Sequence, residues 1–167
     1  SKPVQKFLRY AEKLAIKYSH YFIADSTVIQ SYVEKKYNIS SKYIPYGAEI
    51  FANKNECILA KYGVAKNNYH MLMARMEPEN NIDMILEGFH KSNSEKTFIV
   101  IGNHHNSYGK LMYNKYSHDE RIHFAGAVYD AEITNTLRAY CKLYFHGHSV
   151  GGTNPSLLEA MANGSII

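Results

Sequence analysis

Apolar and polar residues follow two different rhythms along the chain, and the change between them falls near residue 50. The first eighteen or so residues carry apolar side chains at three- and four-residue spacing, which predicts a helix with one buried stripe. A strand over residues 21–24, a helix over 26–37 and a strand over 42–45 follow. Residues 50–68 are polar and irregular apart from a short predicted helix, so we place a domain boundary there.

From residue 69 onward, short apolar runs alternate with amphipathic segments. The runs YHMLMA, TFIVIG, RIHFAG and CKLYFH predict four strands. The intervening segments predict helices: Asn80 is placed to cap the first, with Asp83 in its first turn, and Asp130 is a good cap for the third. Residues 165–167 begin another strand, so we expect the chain to be truncated. This alternation predicts an α/β fold, a Rossmann-like parallel sheet with flanking helices.

Composition excludes few functions. With 46% hydrophobic and 20% charged residues the chain is typical of a globular protein, and no apolar run approaches the 18 or so residues that span a bilayer. The N-terminus does not resemble a signal peptide. The net charge of +4 is scattered, which favours a solvated surface and predicts no nucleic-acid partner. Neither Cys57 and Cys141 nor the nine histidines show metal-ligand spacing, so we expect free thiols and no metal site.

In an open parallel sheet, ligands bind outside the carboxyl ends of the strands, where the strand order reverses. Four loops should therefore line a site: residues 76–81, 102–107, 125–129 and 146–154. The last loop is rich in glycine, which lets the backbone approach a ligand closely. It could equally be a simple turn between strand and helix, and the loop alone does not decide between these readings.

The helix after this loop should begin with Asn154 as cap and Pro155 as first residue. Exposed N–H groups of Ser156 and Leu157, together with the helix dipole, would then form a phosphate site. We assign ligand contacts to the loop and this helix start: Gly151, Gly152, Thr153, Asn154, Ser156 and Leu157.

Two charged residues favour the ligand-binding reading. Glu159 lies one turn inside an otherwise apolar helix; it is either exposed without a role or faces the cleft and accepts hydrogen bonds from both ribose hydroxyls. In the second case Glu159→Gln should weaken binding with little loss of thermal stability. Arg75, at the end of a strand, could clamp a diphosphate or pair with Glu77 or Glu79. The backbone at Ala127 and Val128 suits a flat base.

Together these segments carry a family resemblance. GGTNPSLLEAMANG resembles the nucleotide-sugar motif of glycosyltransferase family four, enzymes of GT-B fold, and HGHSVGGTNPSLLEAMA is similar to a bacterial branch, the rhamnosyltransferases of polysaccharide biosynthesis. ARMEPENNIDMILEGF resembles the phosphate-binding region, RIHFAGAVYDAEI the base-binding strand and SKYIPYGAE the interdomain hinge. The resemblance implies the end of an N-terminal domain and the hinge at residues 1–48, and an incomplete donor-binding domain at 49–167.

The resemblance also implies a mechanism. The donor diphosphate would lie between Arg75 and the helix start, Glu159 would hold the ribose, and these two residues would carry catalysis without a metal or other cofactor. Two departures matter: Gly151 stands where the family has a glutamate that contacts the donor sugar, and the family's lysine is replaced within residues 78–81. Asn80 and Asn81 are therefore assigned to the phosphate site.

The predicted function is hexosyl transfer with retention, of rhamnose or another sugar, from a dTDP- or UDP-sugar to a polysaccharide or lipid-linked acceptor. The isolated chain should be inactive. The whole protein should be cytoplasmic, at the inner face of the membrane, with which it could make peripheral contact. Two alternatives stay open: a non-catalytic nucleotide-sugar-binding domain and a sugar-nucleotide epimerase. The absence of GxGxxG after the first strand of the regular section argues against a dehydrogenase.

Overall fold

The computed structural model describes residues 2–150 and 152–167 of the 167-residue chain. The chain divides into two compact units, one ending at Tyr46 and the other running from Gly47 to Ile167. No helix of the described residues is both long and apolar enough to cross a bilayer.

The first unit contains two helices and a two-stranded parallel sheet. Its elements are α1 (Lys2–Tyr18), β1 (Ile23–Ala24), α2 (Thr27–Tyr37) and β2 (Lys42–Tyr43). The Ser26 hydroxyl caps α2 by accepting a hydrogen bond from the Ile29 N–H. All four predicted elements are present, although both strands are shorter than predicted.

The predicted buried stripe of α1 is wrong for this structure. None of its described residues is buried, and Phe7 and Leu8 are 67% and 58% exposed. Within the described residues, α1 is joined to α2 by side-chain hydrogen bonds. They run through Glu12, whose carboxylate accepts hydrogen bonds from Lys36 and Tyr37.

The second unit is a four-stranded parallel sheet flanked by helices, as the sequence predicts. Its elements are α3 (Cys57–Lys61), β3 (Tyr69–Met73), a 3₁₀ turn (Pro78–Asn80), α4 (Ile82–His90), β4 (Thr97–Ile101), α5 (Ser107–Tyr116), β5 (Ile122–Gly126), α6 (Ala131–Tyr140), β6 (Leu143–Phe145) and α7 (Pro155–Ala162). The strand order is β5-β4-β3-β6, and every neighbouring pair is parallel.

The sheet has a hydrophobic core on each face because successive residues of a strand point to opposite sides. Leu72 and Val100 pack on one side against residues of α4 and α5, including Leu86 and Met112. Residues of β3, β4 and β6 pack on the other side against α3, α6 and α7: Met71, Ile99, Tyr144, Leu59, Leu137 and Ala160. The predicted α/β class is therefore confirmed.

The strand order fixes where a ligand can bind. The chain moves from β3 outward through β4 to β5, then returns to place β6 on the other side of β3. The order therefore reverses between β3 and β6, and the rule for parallel sheets places a ligand beside the loops that follow these two strands. The loop at residues 74–81 and the loop at residues 146–154 occupy this position.

Two smaller sequence predictions are also tested by the fold. Cys57 and Cys141 are both free thiols, as expected, with Cys141 buried at the end of α6. Residues 165–167 do not form the predicted strand, although the Tyr144 N–H donates a hydrogen bond to the Ile166 carbonyl at 2.7 Å.

Candidate functional site

Two adjacent cavities lie at the carboxyl ends of the parallel strands. The Glu159 cavity, of about 520 Å³, is lined by residues of α6 and α7 and by Gly47, Ala48 and Glu49. The Arg75 cavity, of about 420 Å³, is lined by the ends of β3 and β4 and by Ala127. Met73, Val128 and Tyr129 line both cavities. The structure therefore brings Arg75, Glu159, Ala127 and Val128 to one edge of the sheet.

The carboxylate of Glu159 is held by a buried arginine that the sequence analysis missed. Arg138 Nη2 lies 2.6 Å from Glu159 Oε2; the arginine side chain is 4% exposed and that of Glu159 is 45% exposed. An arginine that is almost fully buried needs a charged partner, because desolvating an unpaired guanidinium is very costly. Glu159 supplies that partner and still reaches the cavity.

Neutral partners fix Arg138 in place. Its Nη2 also donates to Ser156 Oγ at 3.1 Å and to Met73 Sδ at 3.0 Å, and its Nη1 donates to Asn135 Oδ1 at 3.0 Å. The Ser156 hydroxyl is bonded in turn to the Tyr144 hydroxyl at 2.8 Å. Burial raises the pKa of Tyr144, which keeps this hydroxyl protonated. Arg138 therefore links the first turn of α7 to Glu159 one turn later.

A sequence signal for Arg138 did exist. Thr134 and Cys141 are buried, and Arg138 follows the first by four residues and precedes the second by three, so it lies on the same inward face of α6 and its cap. A charge on the inward face of an amphipathic helix indicates a buried ion pair or a functional site. Its partner could not be identified without the fold, because Glu159 comes from a different helix.

The ion pair changes the expectation for Glu159→Gln. The sequence alone predicts little loss of stability, because it shows no structural partner for Glu159. With Arg138 buried against it, the substitution removes the only charge that the structure sets beside this guanidinium within the described residues. A measurable loss of stability is therefore expected together with any loss of binding.

Arg75 is exposed and lines the second cavity with Gly102, Asn103 and Ala127. Among the described residues it makes no ion pair with Glu77 or Glu79, the alternative that the sequence left open. Its main-chain carbonyl accepts a hydrogen bond from Asn80 Nδ2 at 2.7 Å, which fixes the backbone at this position. The guanidinium is thus free to bind an anion.

The two asparagines hold the two crevice loops together. The Asn81 side chain donates to the Gly147 carbonyl at 2.7 Å, and Asn80 Oδ1 lies 2.9 Å from His148 Nδ1. The prediction that Asn80 caps α4 is wrong: Asn80 ends the 3₁₀ turn, and Asn81, at φ 50°, occupies the cap position without a side-chain cap bond. A direct contact of Asn80 or Asn81 with phosphate stays a prediction.

The start of α7 confirms one prediction and corrects another. Asn154 is the cap and Pro155 is the first helical residue, as predicted. However, Asn154 Oδ1 accepts hydrogen bonds from the N–H groups of Ser156 and Leu157, at 2.9 and 3.4 Å, so these groups are not free as expected. Among the described residues, the N–H groups of Thr153 and Asn154 donate to no other group. Gly151 lies outside the described residues.

Gly147 lets the two loops meet, and this gives a testable prediction. A Cβ at Gly147 would lie 2.3 Å from the Asn80 carbonyl oxygen, so Gly147→Ala must push the loops apart. We expect the free energy of unfolding to fall by about 1–3 kcal/mol in a urea titration. Gly88→Ala is the matched control, because a Cβ there meets nothing within 4 Å and should leave stability unchanged or slightly raised. Equal stability of the two variants would contradict the close approach.

The fold is that of the C-terminal domain of a GT-B glycosyltransferase, and the comparisons with known proteins agree with it. Residues 56–167 match the family described as glycosyl transferases group 1, and residues 1–49 match a domain of unknown function, DUF1972. The chain belongs to the glycosyl transferases group 1 family. A search of curated proteins gave no match.

Solved structures with the same fold include several glycosyltransferases. HepE of Anabaena in complex with UDP-glucose has a TM-score of 0.80 at 22% identity, covering 96% of this chain and 47% of HepE. The pneumococcal O-GlcNAc transferase GtfA with UDP and GlcNAc has a TM-score of 0.59 at 18% identity, covering 87% of this chain and 29% of GtfA. A glycosyltransferase of avilamycin A biosynthesis has a TM-score of 0.58 at 14% identity, covering 86% and 42%. At these identities the likeness shows the fold, and the chain spans about half the length of HepE.

Proposed function

We propose that this chain is the donor-binding part of a retaining hexosyltransferase of the family-four type. The whole protein transfers a sugar, with rhamnose as the first candidate, from a nucleotide diphosphate donor to a polysaccharide or lipid-linked acceptor. Residues 1–48 are the end of its N-terminal domain and the hinge, and residues 49–167 bind the donor. The donor is a dTDP- or UDP-sugar, and the reaction uses no metal or other cofactor.

One observation carries this proposal: an exposed guanidinium and a half-exposed carboxylate lie in two adjacent cavities at the carboxyl ends of the parallel strands. Arg75 and Glu159 line adjacent cavities that have Val128 in common. A nucleotide diphosphate needs a cation for its phosphates and acceptors for its ribose hydroxyls. Membership of the glycosyl transferases group 1 family supports the same assignment, as do the UDP and UDP-glucose bound by HepE.

The chemistry assigned to this chain is stabilisation of the leaving group. The bond between the anomeric carbon and the phosphate oxygen breaks, and negative charge grows on the departing diphosphate. We assign the binding of this charge to the Arg75 guanidinium, which lines the Arg75 cavity, and to the N–H groups of the loop before α7. The acceptor attacks the face that the diphosphate vacates, which gives retention. The base that takes the acceptor's proton is expected in the rest of the protein.

We place the whole protein in the cytoplasm, at the inner face of the membrane, in peripheral contact with it. A lipid-linked acceptor would require this location. The chain alone should bind a nucleotide diphosphate weakly and transfer no sugar, because it provides one wall of the cleft.

A donor screen on the full-length protein tests the proposal. Purified enzyme is incubated with dTDP- and UDP-sugars and acceptor, and the anomeric configuration of the product is read by NMR. We expect a product whose anomeric configuration matches the donor, and an inverted product would contradict retention. Donor binding without transfer would support the non-catalytic alternative. An epimerised free nucleotide sugar would support the epimerase.

A further inference from the structure

The partner set of Arg138 fixes the orientation of the Glu159 carboxylate. Nη2 lies 2.6 Å from Glu159 Oε2 and also contacts Ser156 Oγ and Met73 Sδ, while Nη1 donates to Asn135 Oδ1. Because the arginine side chain is 4% exposed, it cannot swing out into solvent without opening the helix packing. Arg138 therefore keeps a contact with one of the two carboxylate oxygens of Glu159, Oε2.

The other oxygen, Oε1, has no hydrogen-bond partner among the described residues, and Glu159 lines a cavity. A carboxylate with both oxygens free can accept hydrogen bonds from the 2′- and 3′-hydroxyls of a ribose at once. When an arginine holds one oxygen, the carboxylate faces the sugar mainly through the other. The second ribose hydroxyl then contributes much less to binding.

We propose that Arg138 is a positioning residue that makes the site tolerate 2′-deoxyribose by reserving Glu159 Oε2 for itself. The site then binds 2′-deoxyribonucleoside diphosphates about as tightly as ribonucleoside diphosphates. The inference rests on the proposed function, because it requires the ribose to lie against Glu159.

Calorimetric titration of the chain with UDP and with dUDP tests the inference, because these two ligands differ only in the 2′-hydroxyl. We expect their dissociation constants to agree within about threefold in the natural sequence. In Arg138→Met both carboxylate oxygens of Glu159 become free to accept a ribose hydroxyl. UDP should then bind about tenfold more tightly than dUDP, because one charge-assisted hydrogen bond contributes about that difference in affinity. A merely structural arginine would change both affinities equally and leave their ratio unchanged.

Three further variants sharpen the test. Arg138→Lys keeps a cation beside Oε2 and should restore a ratio near one. The double variant Glu159→Ala with Arg138→Met should also bind UDP and dUDP with similar dissociation constants, because no carboxylate remains to accept a hydrogen bond from the 2′-hydroxyl. Arg121→Met is the matched control: Arg121 is partly buried and pairs with Asp119 at 2.7 Å outside both cavities, so its loss should not move the ratio.

The outcomes separate this inference from the proposed function. If neither UDP nor dUDP binds, the proposed function fails. If both bind but the natural sequence already prefers UDP by tenfold or more, the inference about Arg138 is wrong and the donor site stands. The comparison of UDP with dUDP uses the natural sequence, so it tests the inference even if Arg138→Met does not fold. An unchanged ratio in a folded Arg138→Met chain would also overturn the inference.

Discussion

Glu159→Ala should lower the free energy of unfolding by about 2–3 kcal/mol and also weaken nucleotide binding by about 10- to 100-fold. The stability loss follows because Arg138, 3% exposed as a residue, loses its charged partner at 2.6 Å. Removing one partner of a fully buried ion pair typically lowers the free energy of unfolding by about 3–5 kcal/mol. The expected loss is smaller here because the Glu159 carboxylate is half-exposed. Urea denaturation followed by circular dichroism measures the first effect, and calorimetric titration with UDP measures the second.

A double-mutant cycle separates the ion pair from other effects of truncation. Adding Arg138→Met to Glu159→Ala removes the uncompensated charge and should recover part of the lost stability. Glu132→Ala, an exposed glutamate in the first turn of α6, is the control and should cost about 1 kcal/mol or less. A Glu159→Ala chain as stable as the Glu132→Ala chain would show that Arg138 does not depend on Glu159.

Arg75→Ala should weaken UDP binding by about 10- to 100-fold and leave stability nearly unchanged. A guanidinium bound to phosphate contributes about 1.5–3 kcal/mol, which corresponds to that range of affinity. Arg75 is exposed and forms no ion pair among the described residues, so its side chain can be removed with little effect on the fold. Calorimetric titration at fixed ionic strength measures the affinity, and the melting temperature reports stability.

Arg9→Ala is the matched control for this substitution. Arg9 is an exposed residue of α1, and its removal changes the net charge of the chain by the same amount. Equal weakening of UDP binding in the Arg9 and Arg75 variants would mean that net charge, not a local contact, attracts the diphosphate. The Arg75 cavity would then not be the diphosphate-binding site.

The parts of the fold that depend on local signals could be predicted from the sequence. The Asn154 cap followed by Pro155 is one case, since a cap hydrogen bond spans only two or three residues. The alternation of strands and helices after residue 69 is another, because apolar periodicity reports directly on burial. The position of the crevice loops followed from the rule for parallel sheets.

What could not be predicted depends on contacts between distant segments. The Arg138–Glu159 pair joins two helices, and the Asn81–Gly147 hydrogen bond joins two loops. The Asn80 cap prediction failed because Asn81 adopts a left-handed conformation after a 3₁₀ turn, which shifts the start of α4 by one residue. The availability of the Ser156 and Leu157 N–H groups was overestimated because the same cap that begins the helix also occupies them.

The proposed function depends most on one claim, that Arg75 and Glu159 flank a single nucleotide diphosphate site. Amide NMR shifts of the chain titrated with UDP, dTDP and GDP test it directly. We expect the perturbed amides to cluster around Arg75, Val128 and Glu159 and to include Gly152, Thr153 and Asn154. Perturbations confined to other parts of the chain, or no saturable shift with any of the three nucleotides, would contradict it.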